Sequence, residues 1–102
     1  MQSLLAVALG LSFIACTSIN SGRYENELGK QTYQTYCMAC HGVDGKLKLN
    51  GAPDLTFSKM TLEEKIENVT IGGSMMPAFA EVISEEEIKA VAVYLNELKP
   101  SE

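Results

Sequence analysis

One histidine and three cysteines are all that 102 residues contain of those types. A lone imidazole leaves no second histidine for acid–base work. It also leaves a zinc site short: closed structural sites take four protein ligands, and Cys16 stands well apart from Cys37 and Cys40. Basic residues are scarce as well, with eight Lys and Arg against 13 Asp and Glu, a net charge of −5. Nucleic acid needs a basic face for its phosphates, so that class of partner is excluded. No apolar run is long. Residues 4–15 (LLAVALGLSFIA) are apolar or small over 12 positions, where a bilayer-spanning helix needs about 20. Period-two alternation and internal repeats are missing too, which leaves an all-α chain.

The apolar run suits the h-region of a signal peptide, although residues 1–3 carry no Lys or Arg to form a charged n-region. It ends in Phe13-Ile14-Ala15-Cys16, with a small residue just before the cysteine, as in a bacterial lipobox. An odd cysteine in an exported protein calls for an explanation, and lipidation of Cys16 supplies one. Residues 1–15 are therefore expected to be a leader of the lipoprotein type. Residues 16–23, rich in Ser, Thr, Asn and Gly, read as a flexible tether. Residues 24–102 are expected to form the domain: exported to the periplasm, held at a membrane through Cys16, and monomeric. A core of fewer than about 80 residues is marginal and needs a staple.

Three helices are legible. The first covers about residues 24–37, with Leu28, Tyr33, Tyr36 and Cys37 at helical spacing. Gly29 shares a face with Tyr33. A glycine inside a helix costs about 1 kcal/mol relative to alanine, so its presence predicts close approach by another helix. Thr61-Leu62-Glu63-Glu64 opens the second helix with a capping box; Leu62, Ile66 and Val69 follow at helical spacing, and Gly72-Gly73 ends it. Ser84-Glu85-Glu86-Glu87 opens the third with another box and places acids at the positive end of the helix dipole. Its apolar stripe is Ile88, Val91, Ala92, Tyr94, Leu95 and Leu98, closed by Lys99-Pro100.

After the first helix comes Cys37-Met38-Ala39-Cys40-His41, the Cys-x-x-Cys-His pattern of c-type haem attachment. Two thiols three residues apart can form thioethers with the two vinyl groups of one porphyrin. The adjacent imidazole is then held beneath the iron as an axial ligand. Such a porphyrin would also be the staple that the small core needs. For the opposite iron position the downstream candidates are Met60, Met75 and Met76. Met60 directly precedes a helix cap and reads as a packing residue. Met76 precedes Pro77, which pushes it toward an extended backbone and stiffens the loop. Met75 is the neighbour with which it can be confused.

Four pieces, taken in order, resemble a class I cytochrome c of the short bacterial kind related to cytochromes c6, c5 and c553. They are Cys37-Met38-Ala39-Cys40-His41-Gly42, Gly51-Ala52-Pro53-Asp54-Leu55, Met76-Pro77-Ala78-Phe79 and the terminal helix with Tyr94. The resemblance implies the all-α cytochrome c fold, with three main helices and loops wrapped around one haem c bound through Cys37 and Cys40. It implies that His41 and Met76 ligate the iron. Pro53 would accept the His41 Nδ1–H on its carbonyl, leaving Nε2 for the metal. The Gly29/Tyr33 face would cross the terminal helix at Tyr94. Leu55, Ile66, Val69, Ile71, Phe79, Val91 and Leu95 are the expected wall of the haem pocket.

With both axial positions filled, substrate has no free site, and no distal Arg/His pair for peroxide activation is recognisable, so an enzyme is not expected. Neutral imidazole and thioether ligands in an apolar pocket favour ferrous iron and raise the reduction potential. The expected function is one-electron transfer between redox protein partners, a donor and an acceptor. Its rival is a haem-based ligand or redox sensor in which the bond from Met76 is labile.

Overall fold

The computed structural model describes Gly10 and residues 18–100, with side chains from residue 20 onward. Apart from Gly10, the expected leader and Cys16 lie outside the described residues. The chain folds into helices α1 (Ser18–Tyr36), α2 (Met38–His41), α3 (Leu62–Ile71) and α4 (Glu85–Tyr94), with 3-10 turns at Leu49–Gly51, Leu55–Phe57 and Leu95–Glu97. Extended pairing among the described residues is a single antiparallel bridge between Gly73 and Met76. The all-α expectation holds.

Helix α1 starts at Ser18, six positions before the boundary expected at Tyr24. Residues 18–23 are thus helical rather than a flexible tether. Their composition disfavours helix nucleation, but adding turns to a helix already formed costs far less than starting one.

The first and last long helices cross where Gly29 predicts it. A Cβ there would collide with the Ala90 carbonyl oxygen and lie 2.9 Å from Tyr94 Cβ. The Tyr33 and Tyr94 rings meet beside this crossing, 5.4 Å between centroids and tilted by 48°. Tyr33, Val69, Phe79, Ile83, Ile88 and Val91 form the buried core. Both predicted capping boxes are closed in both directions, at Thr61/Glu64 and at Ser84/Glu87. Beyond α4 the chain tightens into the turn Leu95–Glu97 and delivers Leu98 onto the loop at Gly45, where a Cβ would lie 2.9 Å from Leu98 Cδ1. Lys65, buried on α3, donates to Asn96 Oδ1 at 2.6 Å and pins that turn.

Candidate haem site

The cysteine–histidine segment continues almost directly from α1. Cys37 N–H donates to the Tyr33 carbonyl at 2.9 Å, and His41 N–H to the Cys37 carbonyl at 3.0 Å. Gly42, at φ 79°, stops the turn while its N–H caps the Met38 carbonyl. Cys37, Cys40 and His41 therefore share one short helical turn: Cys37 half-buried, Cys40 exposed, His41 buried. Both thiols are free. Burial, and next the neighbouring Cys40, push the Cys37 thiol up to about 11. It stays protonated at neutral pH, which does not suit a thiolate redox couple.

Tyr33, 1% exposed, braces this turn from behind: its hydroxyl donates to the Gly42 carbonyl at 2.6 Å. Burial is the main cause that pushes its pKa up to about 12. A phenol whose pKa is raised on folding adds stability that is fully present below its unfolded value near 10 and is lost as pH rises through 12. Stability is therefore expected to fall between pH 10 and 12. In Tyr33→Phe this part of the slope should vanish from denaturant melts run across that range.

The loop after the turn brings Pro53 toward His41. Leu55 N–H donates to the Gly45 carbonyl at 2.9 Å, and Asp54 caps the 3-10 turn Leu55–Phe57 through Thr56. Burial lowers the His41 pKa, and the Pro53 carbonyl partly offsets this by favouring the protonated ring. His41 Nδ1 is nonetheless buried without a hydrogen-bond partner. The ring therefore faces Pro53 without meeting it at full hydrogen-bonding geometry. Asp54 sits below the usual carboxylate range, mainly because the Thr56 hydroxyl donates to it.

Further along the chain, Gly72 (φ 72°) ends α3, its N–H donating to the Asn68 carbonyl at 2.8 Å. A Cβ on Gly72 would lie 2.6 Å from the Met76 carbonyl oxygen, so the following loop folds directly over it. Gly73 and Met76 exchange both backbone hydrogen bonds, at 3.0 and 2.6 Å. Ser74 and Met75 are thus the central residues of a two-residue turn, with Ser74 in the left-handed region at φ 39°. The turn separates the two methionines. Met75 is 76% exposed, whereas Met76 is half-buried against the core. Asn68 Nδ2 reaches the Met76 sulfur at 3.7 Å. The next residues are tied back to α3, with Phe79 N–H on the Val69 carbonyl at 3.0 Å.

The residues fit a covalently attached haem. Two free thiols precede a buried imidazole whose Nδ1 still lacks a partner, and a thioether is presented from a braced loop. Residues 25–95 match the family described as cytochrome c oxidase, cbb3-type, subunit III. The chain is a c-type cytochrome. Cytochrome c6 of Tetradesmus obliquus is 33% identical over 78 residues, covering 67% of this chain and 84% of that protein. Chloroplastic cytochrome c6 of Chlamydomonas reinhardtii is 34% identical over 101 residues, covering 88% of this chain and 66% of that one. The solved KustC0563 c-type cytochrome superposes with a TM-score of 0.65 at 31% identity, over 71% of this chain and 98% of its own. Together these make the cytochrome a class I, monohaem member with one covalently attached c-type haem.

Of the expected pocket wall, Val69, Phe79 and Val91 are buried, and Leu55, Ile66 and Leu95 pack against that core. Ile71, at the end of α3, is 64% exposed; the buried residues of that helix are Lys65 and Val69. Met60 is exposed and lines an open cleft of about 490 Å³ with Glu64, Asn68 and Ile71. Asn68 was not anticipated. A polar residue on an exposed helix face carries no sequence signal of a sulfur eight positions later.

Proposed function

We propose that this cytochrome is a one-electron carrier whose haem iron is ligated by His41 and Met76, exchanging electrons with a donor and an acceptor protein. The observation that carries the reading is the difference between the two methionines. Met76 is half-buried, held by reciprocal backbone bonds and contacted by Asn68, while Met75 points to solvent. When bound, the haem supplies a reversible one-electron iron couple. The chain's own residues fix its surroundings: the α1–α2 turn holds the imidazole, the Gly73–Met76 turn holds the thioether, and the apolar core keeps water away.

The sequence supports export and a lipid anchor on Cys16, after the apolar run and Ala15. With α1 beginning at Ser18, such an anchor would not place the domain on a slack tether. The six residues 18–23 rise about 9 Å as helix, whereas extended they would reach roughly 20–22 Å. The cytochrome would then work close to the membrane surface.

An equilibrium redox titration of the holoprotein tests the proposal. A single one-electron wave is expected, with the same midpoint under argon and under carbon monoxide. A midpoint that moves upward under carbon monoxide would mean an open ferrous iron, and would favour the sensor.

A further inference from the structure

We propose that Asp54 is a positioning residue of the haem site: clasped by Thr56, it holds the Pro53 carbonyl toward the His41 ring and so sets the strength of the axial imidazole. The proposal rests on His41 being an iron ligand.

Pro53 lies between two short 3-10 turns, Leu49–Gly51 and Leu55–Phe57, with no long helix around it. Its restraints are few and local. Asp54 Oδ1 accepts two hydrogen bonds from one residue, from Thr56 N–H at 2.9 Å and from the Thr56 hydroxyl at 2.5 Å. The neighbouring Leu55 N–H is anchored on the Gly45 carbonyl at 2.9 Å. Pro53 has its own φ fixed by the pyrrolidine ring. The direction of its carbonyl then depends on the peptide unit that joins it to Asp54, and Asp54 is held at φ −70°, ψ 110° by the clasp. Lys48 and Lys46 favour the ionised carboxylate.

The consequence for the metal follows from His41 Nδ1, which is buried without a hydrogen-bond partner while the Pro53 carbonyl acts on the same ring. An acceptor on the distal nitrogen of a ligating imidazole fixes the ring and raises its basicity. A more basic imidazole favours ferric iron and lowers the potential. Loosening the clasp should weaken that hydrogen bond and raise the potential.

Loss of a negative charge would also raise the potential, so one variant is not enough. Asp54→Ala removes both charge and clasp, whereas Asp54→Asn removes the charge but keeps an Oδ1 acceptor for both Thr56 donors. The experiment measures two quantities on the reduced holoprotein: the midpoint potential, and the solvent-exchange rate of the His41 Nδ1 proton by NMR. In Asp54→Ala the proton should exchange roughly five- to tenfold faster, the loss of about one hydrogen bond, and the potential should rise. Asp54→Asn should return both most of the way to wild type. An Asn variant that matches Ala in potential would make the effect one of charge and overturn the proposal, as would an unchanged exchange rate in Ala. If the His41 ring resonances of the reduced wild type carry no porphyrin ring-current shift, the ligand assignment fails first and takes the proposal with it.

Discussion

Met76→Ala is expected to lower the reduction potential of the holoprotein by about 0.1 V or more, within the roughly 0.8 V that axial ligands span, and to open the ferrous iron to carbon monoxide. Met75→Ala should leave both properties at wild-type values. The contrast follows from the turn between Gly73 and Met76. Its two reciprocal hydrogen bonds put Met75 at the solvent-facing corner and Met76 on the inward strand end. Pro77 narrows the backbone choices of Met76, and Phe79 and Ala80 anchor the following segment on α3 carbonyls. A ligand held in this way loses little conformational entropy on binding. Removal of its thioether leaves no replacement, because Met75 could reach inward only if the turn were broken. Potentiometry and carbon monoxide titration on the two variants side by side check this. Equal effects would show that the loop does not discriminate between its methionines.

The second large effect belongs to the scaffold. Gly29→Ala should destabilise the holoprotein by about 3 kcal/mol, the upper part of the usual range for overpacking. At about 4–8 °C per kcal/mol for a domain of this size, the midpoint of thermal unfolding should fall by roughly 12 °C or more. The new methyl would run into the Ala90 carbonyl oxygen and crowd Tyr94 Cβ. A backbone carbonyl inside α4 cannot step aside, so the two helices must separate. The Tyr33–Tyr94 contact, which stands behind the haem-attachment turn, would loosen with them. Gly22→Ala in the same helix is the control. Nothing lies within 4 Å of a Cβ there, and better helix propensity should add up to about 1 kcal/mol. Thermal melts followed by circular dichroism separate the two. A Gly29→Ala midpoint within 2 °C of wild type would show that the helices do not cross as described.

Much of this scaffold is written locally in the chain. The capping boxes at Thr61 and Ser84 each need only four consecutive residues, and both form as read. Gly29 is legible because a glycine inside a helix has a cost that something must offset. The haem-attachment segment is legible because its chemistry demands fixed spacing. What escaped the sequence depends on distance. Lys65 finds Asn96 across 31 positions, and the Tyr33 hydroxyl finds the Gly42 carbonyl, although spacing alone gave Tyr33 no role beyond the core. Asn68 meets Met76 only because Gly72 folds the loop back over the end of α3. The stretch before Tyr24 misled for another reason. Ser, Asn and Gly favour a loop by propensity, but the helix behind them propagates through.

His41 and Met76 would give the iron a nitrogen ligand on one side and a sulfur ligand on the other. The ferric absorption spectrum of the purified holoprotein tests this most directly. A low-spin spectrum with the weak far-red band of a methionine–iron bond is the predicted result. A high-spin ferric spectrum without that band would contradict it, and would leave Met76 a residue of the loop and not of the metal.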